Sequence, residues 1–244
     1  MTGRWRALLR LYAVQGSWNY ERMLGVGMGY AAEPLLHDLA TADPVRHTEA
    51  TVRSAEFFNC NPNLAGLALG ATARAEYLGA PGEQVSRLRT ALCSPLGALG
   101  DQLFWAGVVP VLVGLALIGV ALGAGLWPVI GFVVLYNAVR FGVAVWSLRT
   151  GLRSGPEVAR AIAISWLPRW ASGIGPYAAF MVGVAVPLAA GWSFSHFPRR
   201  GIVGALVVAA VGLGLARWWG RGFTTVRFAL AAMAAAVLLR LMVA

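Results

Sequence analysis

Long apolar runs alternate with short polar and arginine-rich segments along the chain, and the runs lengthen after residue 105. The longest run, residues 102–139, contains no acidic or basic side chain. As a single helix its 38 residues would extend about 57 Å, whereas the hydrocarbon of a bilayer is roughly 30 Å thick. The pattern therefore predicts two transmembrane helices, near residues 106–123 and 127–147, separated by two glycines and Pro128.

Three more apolar segments predict further transmembrane helices, which brings the expected number to about five. They are residues 173–192, 201–218 and 225–243. Between the spans, the arginine-rich residues 149–169 predict a cytoplasmic loop with a short surface helix over residues 156–166. Arg140 lies within a predicted span, where we expect it to pair with a polar group or extend toward the interface.

Shorter helices are expected in residues 1–105, where polar and apolar positions alternate more closely. Asp43 followed by Pro44 has the residue types of a helix N-cap and first turn, which predicts a helix from there to about Asn59. Two further helices are predicted, over residues 64–78 and 83–92.

Residues 11–36 are apolar and glycine-rich, but Glu21 and Arg22 interrupt them, which favours a broken or re-entrant hairpin over a clean span. The predicted fold class is therefore an all-α integral membrane protein. It has about five transmembrane helices plus N-terminal re-entrant or broken helical hairpins. Within one membrane domain we expect an N-terminal helical region, residues 1–105, and a transmembrane helical region, residues 106–244.

Composition and charge also indicate a membrane protein. Hydrophobic residues make up 58% of the chain and charged residues 12%, which is about half the charge content of a soluble domain. The net charge of +10 resides in residues 106–244, which hold eleven arginines and one acidic residue. Arginine in short loops between spans predicts contact with the anionic headgroups of a lipid bilayer. Because the arginines are scattered between apolar runs, nucleic acid is not an expected partner.

Three short segments concentrate polar and aromatic side chains: residues 15–23, 56–63 and 100–105. Amides and carboxylates can hydrogen-bond hydroxyls, and aromatic rings can cover apolar C–H faces, so the combination suits a sugar. Asp101 stands at the entrance to the longest uncharged run, where an acid is costly unless it faces a polar cavity or a partner. The candidate substrate-binding residues are Trp18, Asn19, Glu21, Glu56, Asn59, Asp101, Gln102 and Trp105.

Structural roles remain as alternatives in each of these segments. The aromatic residues of segment 15–23 suit an interfacial anchor with a local pair between Glu21 and Arg22. Asn59 suits a helix C-cap. Asp101 suits an N-cap for the first span, a role that is compatible with substrate binding.

No cofactor, metal ion or catalytic residue is expected in this chain. His37, His47 and His196 share no motif, and Cys60 and Cys93 lack the spacing of a metal site and suit packing roles. The sequence contains no phosphate-binding loop, zinc signature or nucleophile motif.

Four segments form a more specific pattern. They read Q-G-S-W-N-Y-E-R-M (15–23), E-F-F-N-C-N-P (56–62), S-P-L-G-A-L-G-D-Q-L-F-W (94–105) and L-Y-N-A-V-R (135–140). In this order they resemble motifs of the IID membrane component of the mannose/fructose/sorbose-type phosphotransferase system. The first resembles that family's N-terminal motif. The others resemble its E-F-F-N-x-x-P, G-P-L-A-G-x-G-D-P-L-F-W and L-F-N-x-x-R. The likeness covers about residues 10–192.

The resemblance implies a subunit of a phosphoenolpyruvate-dependent sugar phosphotransferase system in the bacterial inner (cytoplasmic) membrane. It implies a multi-pass, all-helical chain that forms a hexose-translocating channel with a IIC partner, and IIC–IID pairs that assemble as trimers. The substrate would be a hexose or amino sugar. Soluble IIA and IIB phosphocarriers would deliver the phosphoryl group, and no residue of this chain would be phosphorylated.

The chain departs from the family pattern at three places. Gln102 follows Asp101 where the family usually has Pro, and Ser54 stands where it usually has His. The polar loop before the last spans is shorter, residues 193–200. These departures support an alternative function, a non-transporting IID-like scaffold or regulator in an incomplete phosphotransferase system.

Overall fold

Helices make up nearly all of the regular structure in the computed structural model, which describes residues 2–194. Within that range there is no β-strand, only two isolated backbone bridges. The spans predicted over residues 201–218 and 225–243 lie outside the described residues. The α-helices are α1 (Arg4–Leu11), α2 (Gly25–Leu36), α3 (Leu39–Ala42), α4 (Pro44–Ser54), α5 (Ala65–Tyr77), α6 (Gly82–Leu103), α7 (Val109–Ala121), α8 (Trp127–Ser154), α9 (Val158–Ile164), α10 (Leu167–Gly173) and α11 (Gly175–Phe194).

The N-terminal segment forms a helical hairpin with an irregular connection. Helix α1 packs against α2, and its buried residues are Ala7, Leu8 and Leu11. A series of turns joins the two helices and contains Glu21 and Arg22. This arrangement matches the predicted broken hairpin, because the charged pair lies in the connection and not within a helix.

Helix α4 begins as predicted but ends early. The Asp43 carboxylate caps it by accepting a hydrogen bond from the Arg46 N–H at 3.0 Å, and Pro44 occupies the first turn. The helix ends at Ser54, so the predicted extension to Asn59 is wrong, as is the C-cap role for Asn59. The chain leaves the helix because the backbone of Phe58 pairs elsewhere and its ring is fully buried.

Helix α6 is much longer than the helix predicted over residues 83–92. The predicted C-terminal end is wrong, because the helix continues to Leu103. Pro95 and two glycines do not interrupt it, because a buried stripe at three- and four-residue spacing continues through them. The stripe comprises Val85, Arg89, Leu92, Leu96, Gly100 and Leu103. Asp101 therefore lies inside a helix, and its predicted role as an N-cap is wrong.

A π-helical turn, Phe104–Val108, joins α6 directly to α7. Together they form one continuous helical stretch, Gly82–Ala121, that is long and apolar enough to cross a membrane. A second stretch of sufficient length and hydropathy is Trp127–Val186, which comprises α8 and the shorter helices that follow it. Between them Gly123 and Gly125 adopt φ angles of 86° and 61°, which confirms the predicted break in the long uncharged run.

Helices α5 and α8 form the centre of the packing. Eleven of the thirteen residues of α5 are buried. Small residues at the contact, including Gly70 and Gly151, let the two backbones approach closely. Because α5 belongs to the first 105 residues and α8 to the later region, this contact ties the polar N-terminal segments to a membrane-length helix.

The segment after α8 begins with a short helical turn and α9, which corresponds to the surface helix predicted over residues 156–166. The backbone of Ser165 is extended and separates α9 from α10. Helix α11 then covers most of the span predicted over residues 173–192.

Candidate functional site

The first two polar segments, residues 15–23 and 56–63, are joined through their backbones. The Leu24 N–H donates to the Phe58 carbonyl at 2.8 Å, and the Phe58 N–H donates to the Arg22 carbonyl at 3.2 Å. Gly25 lies directly against this connection, since a Cβ at that position would be 2.0 Å from the Glu56 carbonyl oxygen. Only glycine allows this approach, so the sequence itself fixes the two segments side by side.

The second and third polar segments meet through Asn61 and Asp101. The Asn61 side-chain Nδ2 donates to Asp101 Oδ1 at 2.9 Å. Asn61 is 2% exposed, whereas Asp101 is exposed. Gly100 makes the contact possible, because a Cβ there would lie 2.2 Å from the Asn61 Cβ. A buried amide therefore orients a carboxylate that remains accessible.

Asn61 also connects this contact to helix α8. Its Oδ1 accepts a hydrogen bond from the Asn63 N–H at 3.0 Å, and Asn63 Oδ1 accepts one from Arg140 Nε at 3.1 Å. The Arg140 guanidinium lies over the rings of Tyr12 and Tyr136, at 5.2 and 5.7 Å from their centroids. The prediction that Arg140 pairs is confirmed, and a continuous hydrogen-bonded path leads from α8 to Asp101.

Glu56 has an exposed carboxylate and an anchored backbone. Its Oε2 accepts a hydrogen bond from Ser86 Oγ at 3.4 Å, and its carbonyl accepts one from Arg89 Nη2 at 2.9 Å. Arg89 is only 3% exposed and lies 4.8 Å from the centre of the Phe58 ring. Sequence reasoning missed Arg89, although its place within the apolar stripe of α6 was a usable signal.

Asn19 shapes the first segment by bonding within it. Its Oδ1 accepts hydrogen bonds from the N–H groups of Glu21 and Arg22, at 3.1 and 2.8 Å. Its Nδ2 donates to the Ser17 carbonyl at 3.2 Å. Both ends of the amide are therefore engaged in a turn, and this turn presents the exposed Glu21 side chain.

The aromatic and amide candidates lie at accessible positions. Trp18 is 44% exposed and makes an edge contact with Tyr20, at a centroid distance of 4.8 Å. Trp105 is 49% exposed and lies in the π-helical turn just after Asp101, a local geometry often found at functional sites. Asn59 and Gln102 are exposed, and neither side chain forms a hydrogen bond within the described residues.

The arrangement offers hydrogen-bond acceptors and aromatic faces, but it provides no nucleophile. Carboxylates and indole rings suit recognition of a neutral, hydroxyl-rich ligand. Cys60, which belongs to the second segment, is buried, and this burial raises the pKa of its thiol. Within the described residues no group of three or more His, Cys, Asp or Glu side chains could hold a metal ion.

Known proteins are similar to this chain in both sequence and fold. The family model described as PTS system mannose/fructose/sorbose family IID component matches residues 2–197. The mannose-specific EIID component of Escherichia coli K12 is 29% identical over 183 residues, 73% of this chain and 64% of that protein. The fructose permease IID component of Bacillus subtilis 168 is 30% identical over 176 residues, 70% of this chain and 63% of that protein.

Two solved structures are similar in fold. One is the mannose transporter ManYZ in complex with microcin E492, with a TM-score of 0.59 and 27% identity over 76% of this chain and 70% of that one. The other, described as a membrane protein, has a TM-score of 0.66 and 28% identity over 75% of this chain and 68% of that one. The chain thus spans less than two thirds of the length of the two curated relatives. It is a membrane protein whose described residues are almost entirely helical, and it belongs to the mannose/fructose/sorbose family of phosphotransferase-system IID components.

Proposed function

We propose that this protein is a membrane subunit of a phosphoenolpyruvate-dependent sugar phosphotransferase system and forms a hexose-translocating channel with a IIC partner. The observation that carries the proposal is the hydrogen bond from Asn61 to Asp101. It links two of the segments that resemble family motifs, and backbone pairing at Phe58 adds a third. The names of the relatives, which include mannose, fructose and sorbose systems, support a hexose as the substrate. An amino sugar stays a prediction from the family resemblance.

The proposed site uses the exposed groups of the three linked segments. Glu21, Glu56 and Asp101 would accept hydrogen bonds from sugar hydroxyls, and Trp18 and Trp105 would cover its apolar faces. Asn59 and Gln102 would add amide contacts from exposed positions, and Asn19 would contribute by fixing the turn beneath Glu21. In this proposal residues 1–105 supply the polar groups, and residues 106–244 supply the main spans.

The proposed partners follow from the family. The IIC subunit would complete the sugar site, and soluble IIA and IIB carriers would bring the phosphoryl group to the sugar, with no phosphorylated residue in this chain. The IIC–IID pairs would assemble as trimers in the bacterial inner (cytoplasmic) membrane. This chain would cross that membrane several times. Two membrane-length helical stretches within residues 82–186 support a multi-pass topology.

Sugar uptake by Asp101→Asn tests the proposal. The variant keeps the size of the side chain and a possible contact with Asn61, but it removes the negative charge. Co-expressed with its IIC, IIA and IIB partners, it should lose most hexose uptake. Glu83→Gln is the matched control, because it removes an exposed acid from the same helix, and among the described residues Glu83 pairs only with Arg87. Wild-type uptake by Asp101→Asn would contradict the proposal.

A non-transporting scaffold or regulator is the second candidate, favoured by the engagement of Asn19 within its own turn and by Gln102 after Asp101. Such a protein would associate with a IIC subunit, yet the purified pair would bind no hexose. A transport subunit would bind hexose in the pair and support phosphorylation when the soluble carriers are added. Hexose binding by the purified pair therefore distinguishes the two functions.

A further inference from the structure

A basic cavity of about 490 Å³ lies between helix α1 and the C-terminal half of α8, away from the three polar segments. Arg4 and Trp5 of α1 form one wall, and Arg149 and Arg153 of α8 form another. Leu148 is one of the apolar residues between them. The volume falls in the range of small-molecule sites, so the cavity can admit a ligand group.

The charges that line this cavity are all positive. Arg149 and Arg153 stand four residues apart on α8 and therefore project from the same face, where like charges repel. Arg4 adds a third guanidinium from the opposite wall, and no acidic residue lines the cavity. Within the described residues none of the three arginines forms an ion pair or side-chain hydrogen bond. An anionic ligand would relieve this repulsion.

The arginines of the cavity lie about one bilayer thickness along α8 from the start of that helix. From Trp127 at the start of α8 to Arg149 the helix rises about 33 Å, against roughly 30 Å of hydrocarbon. When Trp127 lies at one interface, Arg149 and Arg153 therefore lie at the headgroup level of the other. Trp5 is 62% exposed beside them, and exposed tryptophan is typical of that level.

We propose that this cavity binds the phosphate group of an anionic membrane phospholipid. The guanidiniums of Arg4, Arg149 and Arg153 hold the phosphate, since planar guanidinium groups suit phosphate oxygens. The apolar residues of the same cavity, such as Leu8 and Leu148, contact the upper acyl chains. A lipid is favoured over free phosphate because the cavity combines cationic and apolar walls at interface depth. The site would stabilise the packing of α1 on α8 and does not depend on the proposed sugar site.

Lipid retention by the full-length protein tests this site. The protein would be purified in neutral detergent and mixed with equal amounts of phosphatidylglycerol and phosphatidylcholine, and bound lipid would be counted by native mass spectrometry. The wild-type protein should retain more phosphatidylglycerol than phosphatidylcholine. Arg149→Gln with Arg153→Gln should weaken that binding by roughly tenfold or more. Arg160→Gln with Arg169→Gln removes the same charge from exposed positions outside the cavity, and it should bind like wild type.

Two further measurements keep the outcomes distinct. Arg4→Gln removes a guanidinium from the α1 wall of the same cavity, so it should also weaken phosphatidylglycerol binding. Because this substitution does not alter α8, it distinguishes loss of the site from misfolding of that helix. Millimolar inorganic phosphate should leave the bound lipid in place. Displacement of the lipid by phosphate, equal retention of the two lipids, or equal binding by both double variants would overturn the proposal.

Discussion

The Asn61 side chain donates a 2.9 Å hydrogen bond to the Asp101 carboxylate across forty residues of sequence. One partner is buried and the other is exposed, so the contact fixes the carboxylate without shielding it from a ligand. This geometry explains how an acid can remain in a helix at the entrance to an uncharged, membrane-length stretch. Asp101 is held by the second polar segment, and that segment is held by the first.

Exchanging the two partners separates the structural and functional parts of this contact. Asn61→Asp places two carboxylates together, which should destabilise the protein by about 1–3 kcal/mol. Combining it with Asp101→Asn restores one amide and one carboxylate, so the thermal midpoint should recover. Hexose uptake should not recover, because the charge then lies at the buried position. Recovery of uptake in the double variant would argue against a direct role for the Asp101 charge.

Gly100 and Gly97 offer a matched pair on helix α6. A Cβ at Gly100 would lie 2.2 Å from the Asn61 Cβ, whereas one at Gly97 would meet nothing within 4 Å. Gly100→Ala should therefore lower the free energy of unfolding by about 1–3 kcal/mol, and it should reduce hexose uptake because it displaces Asn61. Gly97→Ala should be neutral or stabilise by up to about 1 kcal/mol. Equal thermal midpoints for the two variants would contradict the close contact.

Much of the fold could be predicted from local sequence signals. Asp43 and Pro44 start α4 by capping chemistry that depends only on neighbouring residues. The turn between α7 and α8 follows from glycine and proline in a run too long for one span. The pairing of Arg140 follows from the cost of a lone charge at that depth, although the sequence does not identify Asn63 as its partner.

The wrong predictions share a physical cause, since contacts between distant segments override local preferences there. Helix α4 ends at Ser54 because Phe58 pairs with the turn after α1. Helix α6 continues through Pro95 because its buried stripe, including Arg89, packs on both sides of it. The convergence of the three polar segments depends on Asn61 and on two glycines that admit close contacts, and a single sequence does not reveal such contacts.

Arg140 should stabilise the connection between α8 and the second polar segment. Arg140→Met keeps a long apolar side chain but removes the donor to Asn63, whose Nδ2 is already buried without a partner within the described residues. We expect a loss of about 1–3 kcal/mol, measured by thermal unfolding in detergent. Asn137→Ala is the control, because in the described part of the chain the Asn137 side chain donates only to the Val133 carbonyl of its own helix. An unchanged midpoint in Arg140→Met would show that the path to Asp101 is dispensable for stability.

Glu76 forms a second test of stability away from the proposed sugar site. Glu76 is 3% exposed. Its Oε2 lies 3.0 Å from Arg46 Nη2, and its Oε1 lies 2.9 Å from Arg53 Nε. Glu76→Gln leaves Arg46 without its acid and leaves Arg53 with only the distant Glu49, so it should destabilise the protein by about 3–5 kcal/mol. Glu49→Gln should cost less than about 1 kcal/mol, because Glu49 is 62% exposed and 4.0 Å from Arg53. Similar unfolding midpoints for the two variants would contradict the assigned burial of the ion pairs.

The dissociation constant of hexose for the purified IIC–IID pair measures how much Asp101 contributes to sugar binding. Calorimetric titration of wild type, Asp101→Asn and Glu83→Gln compares two acids on one helix. Asp101→Asn should weaken binding by about tenfold or more, because it loses a hydrogen bond to a charged group, whereas Glu83→Gln should bind like wild type. Equal dissociation constants for all three proteins would contradict the assignment of Asp101 to the sugar site.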